Sequence, residues 1–489
     1  MGDENTVLGR AEARHLLRRT GFGALPRDVD QIVDDGETRG AAADRLIDFK
    51  PKTVRPNGRD FPTAHNKWIK TLLKTRAPLQ SKLVLFWHDH FATGISKVGD
   101  AGLMADQIQL LYELCKGDMR ALVKAISKNP AMMEFLDTVR NDKDVPNENY
   151  ARELQELFTL GVEDFAGNPN YTQDDIVQIA RAFTGWRYDG RDAFLDEGDH
   201  DFAADFPERG AKVIYRSTGG FGSAGRSFTV NGEGDAEIDA VVDIIFAHRD
   251  GAGKNTVARR TAHRLLEYFA HPNPSQTVAD EVVAASGFDT TFDVAALLRA
   301  ILVHDAFYES MAPAPFGAGT KKSVKWPIDY VVSTLRLLGM RFKGRDLNVD
   351  GGSFRSALDQ LSNMGQVLLD PPSVFGWDWE TAWISSATLL ARYGFARDLM
   401  SARGRGPSAF RPERLMDLGL TDPGAIVDAV TTLLGVDDQL TGAERTVLVD
   451  YLTDDGANPT LDLNDYDVRN TKLHGLFALV LQSPAYQVH

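Results

Sequence analysis

The strongest constraint on the fold is a helical spacing of apolar residues that recurs along most of the chain. This helical spacing is absent from residues 187–235, a stretch rich in Gly, Asp and aromatic residues. Within that stretch, the segments KVIY and SFTV flank a Gly/Ser connection and predict a β-hairpin. We therefore predict a mostly α fold, with a large multi-helix body and a small β-hairpin or long loop insert around residues 187–235.

The domain organisation follows from length and from the lack of a repeat. The chain has 489 residues, and no fixed period of roughly 20 to 50 residues recurs, which argues against a regular solenoid. We predict that residues 1–489 form a single large α-helical domain. Sub-lobes 1–186 and 236–489, joined by the 187–235 insert, are the alternative.

Composition excludes several classes of function. The acidic chain has a formal net charge of -15 and no dense Lys/Arg cluster, which argues against electrostatic nucleic-acid binding. Its single cysteine, Cys115, rules out an intramolecular disulfide. No stretch approaches the roughly 18 apolar residues of a membrane span, so we predict none. The first residues lack the apolar core of a signal peptide, which predicts a cytoplasmic protein unless a leader has been removed.

The stretch 147–186 has the densest set of charged residues among strong helix formers. Its first half has helical spacing, and its second half begins with Thr172, an N-cap residue followed three positions later by Asp175. We predict a helix, a loop rich in Gly, Asn and Pro, and a second helix.

Four charged side chains of the first predicted helix are candidate catalytic residues. Glu148, Arg152 and Glu156 follow each other at helical spacing, and Glu153 lies beside them. A carboxylate can act as a general base or orient an imidazole, and an arginine can hold an anionic group. The alternative is a solvated ladder of salt bridges, which needs no function.

Three histidines are candidate metal ligands. His88 and His90 flank Asp89 at the end of an apolar helical pattern, and His200 lies in an acidic loop. Histidines with a carboxylate suit zinc or iron. Residues two apart point about 200° apart on a helix, so His88 and His90 can share a site only if the helix has ended before them. Otherwise His90 is buried against a backbone partner and His88 is solvated, while His200 belongs to an exposed loop.

Several segments together resemble one bacterial family. They lie in order along nearly the whole chain: HLLRRTGFG, KLVLFWHDHFATG, NENYARELQELFTLGV, YTQDDIVQIARAFTGW, LLEYFAHPNP and GQVLLDPPSVFGWDWETAWISSATLLAR. They are similar to the domain-of-unknown-function 1800 family. The resemblance implies no assigned reaction. It does imply that members are often exported, and often encoded beside a partner protein of the phosphatase/sulfatase-like group.

Two hypotheses about function follow. The first is a metal-dependent enzyme, hydrolytic or oxidative, that uses the His/Glu site and a zinc or iron ion. The alternative is a non-catalytic helical scaffold or accessory protein that binds a partner protein or a surface polymer. In the later PPSVFGW segment, the prolines and Trp377 are expected to be architectural, and a ligand wall there is the minority interpretation.

Overall fold

A computed structural model describes residues 2–58, 60–228, 234–311, 321–340, 356–402 and 409–489. The predicted mostly α fold is confirmed, because helices dominate these residues and the strands in them form two two-stranded sheets. No helix in these ranges has the length and apolarity needed to cross a membrane.

The helices before the insert follow one another closely. In chain order they are α1 (Arg10–Thr20), α2 (Pro26–Asp34), α3 (Arg39–Ile47), α4 (Phe61–Lys74), α5 (Pro78–His90), α6 (Ile95–Val98), α7 (Ala101–Leu114), α8 (Met119–Ser127), α9 (Pro130–Phe135), α10 (Asn149–Glu156) and α11 (Gln173–Ala182).

The insert contains two short antiparallel hairpins. The predicted hairpin is confirmed, since Val213–Ile214 pairs with Arg226–Ser227. The end of the predicted SFTV strand, Thr229 and Val230, lies outside the described residues. A second hairpin, which the sequence analysis did not predict, pairs Trp186–Asp189 with Asp192–Leu195.

Helices resume after the insert. In chain order they are α12 (Glu237–Phe246), α13 (Thr256–Phe269), α14 (Gln276–Ser286), α15 (Phe288–Thr291), α16 (Val294–Val303), α17 (Asp305–Tyr308), α18 (Pro327–Leu337), α19 (Ala357–Asn363), α20 (Ser386–Ser401), α21 (Pro423–Leu434), α22 (Gly442–Thr453), α23 (Tyr466–Val468), α24 (His474–Gln482) and α25 (Pro484–Gln487).

Buried apolar side chains from Leu8 to Tyr486 form one connected core in the described chain. The division into domains stays a prediction. Helix α5 runs through this core, and every residue from Leu79 to Asp89 is buried. A helix that is apolar nearly all round is buried on all sides, as the sequence predicts. The polar residues at its end are therefore carried into the interior.

The helix pair of the 147–186 stretch is confirmed as α10 and α11. Thr172 is the N-cap of α11: its hydroxyl accepts a hydrogen bond from the Asp175 amide, and the Asp175 carboxylate accepts one from the Thr172 amide. This reciprocal pair satisfies two amides that the first helical turn leaves without partners. It fixes where α11 begins and, with it, the loop that leads from α10.

Candidate functional site

A cleft of about 450 Å³ opens beside the buried end of α5. One wall is formed by α13, and the others by the end of α5, by the segment that follows α10, and by Val374 and Phe375 of the PPSVFGW segment. A ligand wall at this segment stays a prediction, although Val374 and Phe375 do line the cleft. Phe375 is 67% exposed, so this wall presents an apolar surface at the rim.

Asp89 is a buried carboxylate that lines the cleft and forms no ion pair among the described residues. Its two oxygens accept hydrogen bonds from the Trp377 amide at 2.7 Å and from Trp379 Nε1 at 2.8 Å. Burial raises the pKa of Asp89 to about 7, although these hydrogen bonds and the charge of Arg264 act in the opposite direction. A carboxyl with such a pKa is close to half protonated at neutral pH.

Gly376 permits the close approach that gives Asp89 these bonds. Its φ is +81°, and a Cβ at this position would collide with the Asp89 carboxylate and with the Asp89 carbonyl oxygen. Only glycine combines that backbone conformation with that contact. The PPSVFGW segment is thus both architectural, as predicted, and the source of the donors to Asp89.

His90 lines the cleft next to Asp89. Its Nε2 donates a hydrogen bond to the Phe158 carbonyl oxygen at 3.0 Å. Burial, reinforced by the charge of Arg264, lowers the pKa of His90 to about 3, so the ring is neutral at physiological pH. Because Nε2 carries the proton, Nδ1 is left as a hydrogen-bond acceptor.

Helix α13 brings three basic side chains to the cleft. Arg260, His263 and Arg264 are spaced three and four residues apart and therefore share one helical face. Arg264 pairs with Glu267 at 3.2 Å and lies 4.0 Å from the centre of the Trp379 ring. The ring of Trp379 thus connects Arg264 to Asp89.

Among the basic side chains of α13 that line the cleft, Arg260 alone has no carboxylate partner in the described residues. Its Nη2 donates to the Glu156 carbonyl oxygen at 3.0 Å, while its Nε is buried without a hydrogen-bond partner among the described residues. Burial and the neighbouring charge of Arg264 lower the pKa of Arg260 to about 10. No carboxylate of the described chain lies within ion-pair distance of it.

Arg259, next to Arg260 in sequence, shows the opposite arrangement. It pairs with Asp250 and also donates to Asp280 at 2.7 Å. Burial lowers the pKa of Arg259, but its bonds to these two carboxylates outweigh that effect and raise it. Arg259 therefore has a structural role in the wall of the cleft, whereas the charge of Arg260 is free to interact with a ligand.

Of the three predicted metal ligands, only His90 reaches the cleft. Helix α5 continues to His90, so His88 points to the other side, where its Nε2 accepts from the Leu369 amide at 3.2 Å between Trp68 and Trp377. Burial lowers the pKa of His88 to about 3.

His200 lies apart from the cleft, in a buried network at the base of the insert. Its Nδ1 donates to the Thr184 carbonyl oxygen at 2.8 Å, and its Nε2 is 3.2 Å from the Glu237 carboxylate. The side chain is fully buried, which differs from the exposed loop considered as the alternative.

None of the four predicted catalytic residues lines the cleft. Arg152 pairs with Glu148 at 2.9 Å, and Gln173 donates to the same carboxylate, so one pair of the alternative salt-bridge ladder is present. Burial and the charge of Glu156 raise the pKa of Glu153. Glu156 contributes its carbonyl oxygen to Arg260, while its carboxylate accepts from the Tyr171 hydroxyl at 3.3 Å.

In the part of the chain that the structure describes, no three His, Cys, Asp or Glu side chains are grouped so as to hold a metal ion. The zinc or iron ion stays a prediction. The basic face of α13 was missed by the sequence analysis. Its signal is the RRTAHRLLE segment, whose arginines, histidine and glutamate recur at helical spacing.

Comparison with known proteins identifies the family. A family model described as "Protein of unknown function (DUF1800)" matches residues 15–488. The chain therefore belongs to the DUF1800 family, which confirms the resemblance. No curated protein and no solved structure matches the chain.

Proposed function

We propose that this member of the DUF1800 family is an enzyme that carries out hydrolysis by general acid–base catalysis in the cleft. The observation that carries the proposal is the Asp89 carboxyl, whose pKa is raised to about 7 where it lines the cleft beside neutral His90. Perturbed carboxyls in clefts are typical of catalytic groups, because the best acid–base pKa lies near the working pH.

Asp89 is the proposed proton-transfer group. In its ionised form it takes a proton from a water molecule, and in its protonated form it returns that proton to the leaving group. The hydrogen bonds from Trp377 and Trp379 fix the orientation of the carboxyl and leave further lone pairs for this exchange. Fixing a group before the reaction lowers the entropic cost of the step.

His90 has a different role in this proposal. A ring with a pKa of about 3 is a weak base, so it does not compete with Asp89 for the proton. Its Nδ1 instead accepts the second hydrogen of the attacking water and orients it. The bond from Nε2 to the Phe158 carbonyl oxygen holds the ring in the required tautomer.

The guanidinium groups of α13 supply the remaining element of the proposal. Negative charge develops on the group that water attacks, and fixed positive charges in a partly buried site stabilise it. The charge of Arg264 lowers the pKa of both Asp89 and His90, so Arg264 is near both groups. This supports a position for the developing negative charge between Arg264, Asp89 and His90.

A metal-dependent version of this chemistry stays a prediction. His90 with neighbouring carboxylates would supply the ligands, and the ion would activate the water. Metal content of the purified protein, measured before and after chelation, tests it. Retention of activity after complete chelation would remove the metal from the proposal and leave Asp89 as the sole activating group.

Kinetics of paired variants test the enzyme proposal. The 4-nitrophenyl esters of acetate, phosphate and sulfate are suitable hydrolytic probes. We expect Asp89→Asn to lower kcat/KM by about 10²–10⁴-fold, the usual contribution of a general acid–base group. Asp174→Asn, at the exposed start of α11, is the matched control and should leave it unchanged.

Two results contradict the proposal. The first is a folded Asp89→Asn variant that retains wild-type kcat/KM. The second is wild-type protein that hydrolyses none of these ester classes. Either result would favour the hypothesis of a non-catalytic accessory protein. Co-purification would then test whether the chain binds a partner protein of the phosphatase/sulfatase-like group.

A further inference from the structure

The geometry around Arg260 points to the class of substrate that this cleft accepts. An isolated charge is costly to bury unless it is paired, because burial removes its hydration. Arg260 is half-buried, yet its hydrogen bond within the described chain goes to a neutral carbonyl oxygen, and its buried Nε has no partner there. A bound anion would supply the missing charge.

The Arg260 guanidinium is also closely enclosed by its neighbours. Gly161, with φ +81°, lies directly beneath it, and a Cβ at residue 161 would collide with Arg260 Nη1. The Glu156 carbonyl oxygen, near the end of α10, anchors the other terminal nitrogen. A guanidinium that is ordered before the ligand arrives loses little entropy on binding.

Arg264 places a second guanidinium one helical turn away. The two arginines repel, since the charge of Arg264 contributes to lowering the pKa of Arg260. Like charges at this helical spacing are destabilising unless something neutralises them. Glu267 pairs with Arg264, and no equivalent carboxylate reaches Arg260 in the described residues.

The position of Arg264 indicates how the rest of the ligand lies. A second cavity of about 280 Å³ adjoins the cleft, and Arg264, Glu267 and Phe375 line both. Arg264 is therefore at the junction of the two cavities. A group bound there has Asp89 and His90 on one side, and on the other a cavity lined by the rings of Trp377 and Trp379 and by acidic side chains.

We propose that Arg260 and Arg264 together bind an oxyanion of the substrate, a carboxylate, phosphate or sulfate group. This inference rests on the proposed function and names the substrate class for the same site. The planar guanidinium groups match such oxyanions, and each can donate more than one hydrogen bond. The remainder of the substrate lies along Phe375 into the second cavity.

Calorimetric titration with inorganic phosphate, sulfate and malonate tests the inference, with potassium chloride holding the ionic strength constant. Phosphate and sulfate report a tetrahedral ligand, and malonate reports a carboxylate. We expect saturable binding of at least one of them. Arg260→Gln should weaken it by about tenfold or more, the usual effect of removing a charged hydrogen-bond donor.

Three further variants complete the experiment. Arg264→Gln should also weaken anion binding. If Arg260→Gln does not fold, the affinity of Arg264→Gln for the anions tests the inference alone. Arg397→Gln removes an arginine whose side chain is 73% exposed on α20, and it should bind as the wild type does. Asp89→Asn should retain anion binding, because it leaves both guanidinium groups in place.

The outcomes separate this inference from the proposed function. The oxyanion inference is overturned if none of the three anions binds, or if Arg260→Gln and Arg264→Gln both bind with wild-type affinity. Retained anion binding by Asp89→Asn, together with undiminished hydrolysis, would overturn the catalytic role of Asp89 and leave the oxyanion site standing.

Discussion

The cleft and the network at the base of the insert both bury charged side chains, but they compensate them differently. In the insert network, Asp201 receives two hydrogen bonds from Arg181 and one from Arg209. Both Arg181 and Asp201 have side chains at most 2% exposed. In the cleft, Arg260 lacks a carboxylate and Asp89 lacks a cationic hydrogen-bond donor among the described residues.

This difference teaches which buried charges to regard as functional. Buried ion pairs with all partners present hold a structure together, and their worth is revealed when one member is removed. Charges that remain uncompensated next to open space are costly, and a ligand or a reaction can account for them. Of the predicted metal ligands, His200 lies in the insert network, where the buried charges are paired. His90 lies in the cleft, where Asp89 and Arg260 are not.

The largest effect on stability is expected from Asp201→Ala. The substitution leaves Arg181 and Arg209 without their shared carboxylate, and removing one partner of a buried pair costs about 3–5 kcal/mol of unfolding free energy. Urea denaturation measures this change. Asp428→Ala, which removes an exposed pair with Arg445, is the control and should cost less than about 1 kcal/mol.

A loss of under about 1 kcal/mol in Asp201→Ala would break the comparison, because it would make the insert network no more stabilising than a surface pair.

A pH-dependent effect of intermediate size is expected from Asp89. Its pKa in the folded protein, about 7, lies above the ordinary value near 3.9, so the folded state binds the proton more tightly. The resulting stabilisation is complete below pH about 4 and is lost as the pH rises through 7. The unfolding free energy of the wild type should therefore fall between pH 5 and 8.

Comparison with Asp89→Asn isolates this contribution, because the amide does not titrate. The difference between the two proteins should change by about 2.5 kcal/mol between pH 5 and pH 8. A difference that is the same at pH 5 and pH 8 would show that Asp89 has an ordinary pKa.

The smallest effect on stability is expected from Arg260→Met. It removes a hydrogen bond to the Glu156 carbonyl oxygen, but it also removes a half-buried charge without an ion-pair partner and the repulsion from Arg264. These terms oppose each other, so the unfolding free energy should change by no more than about 1 kcal/mol. A loss as large as that of Asp201→Ala would mean that Arg260 is structural.

The fold was largely predictable because its signals are local. The capping box at Thr172 and Asp175 lies within four residues, and the apolar spacing of α5 is visible within the helix itself. The hairpin at Trp186–Leu195 was missed, although Gly190, with φ +59°, lies in its turn. Its short strands carry too few alternating residues to distinguish them from the surrounding loop.

The candidate site was only partly predictable because it is assembled over long distances in sequence. The end of α5 decides whether His88 and His90 face the same side, and tertiary packing determines where that helix ends. The arginines of α13 resemble a solvated face until residues 160–165 and 374–375 cover them. Nothing local indicates that Arg260 is short of a carboxylate.

The titration of Asp89 is the most direct test of its role as a proton-transfer group. Carbon-13 NMR of protein labelled at the aspartate carboxyl carbons follows each group with pH, and the Asp89→Asn variant identifies the signal of Asp89. We expect a midpoint near pH 7 for Asp89. A midpoint near the ordinary value of about 4 would contradict it, because Asp89 would then be a permanently ionised carboxylate and no proton-transfer group.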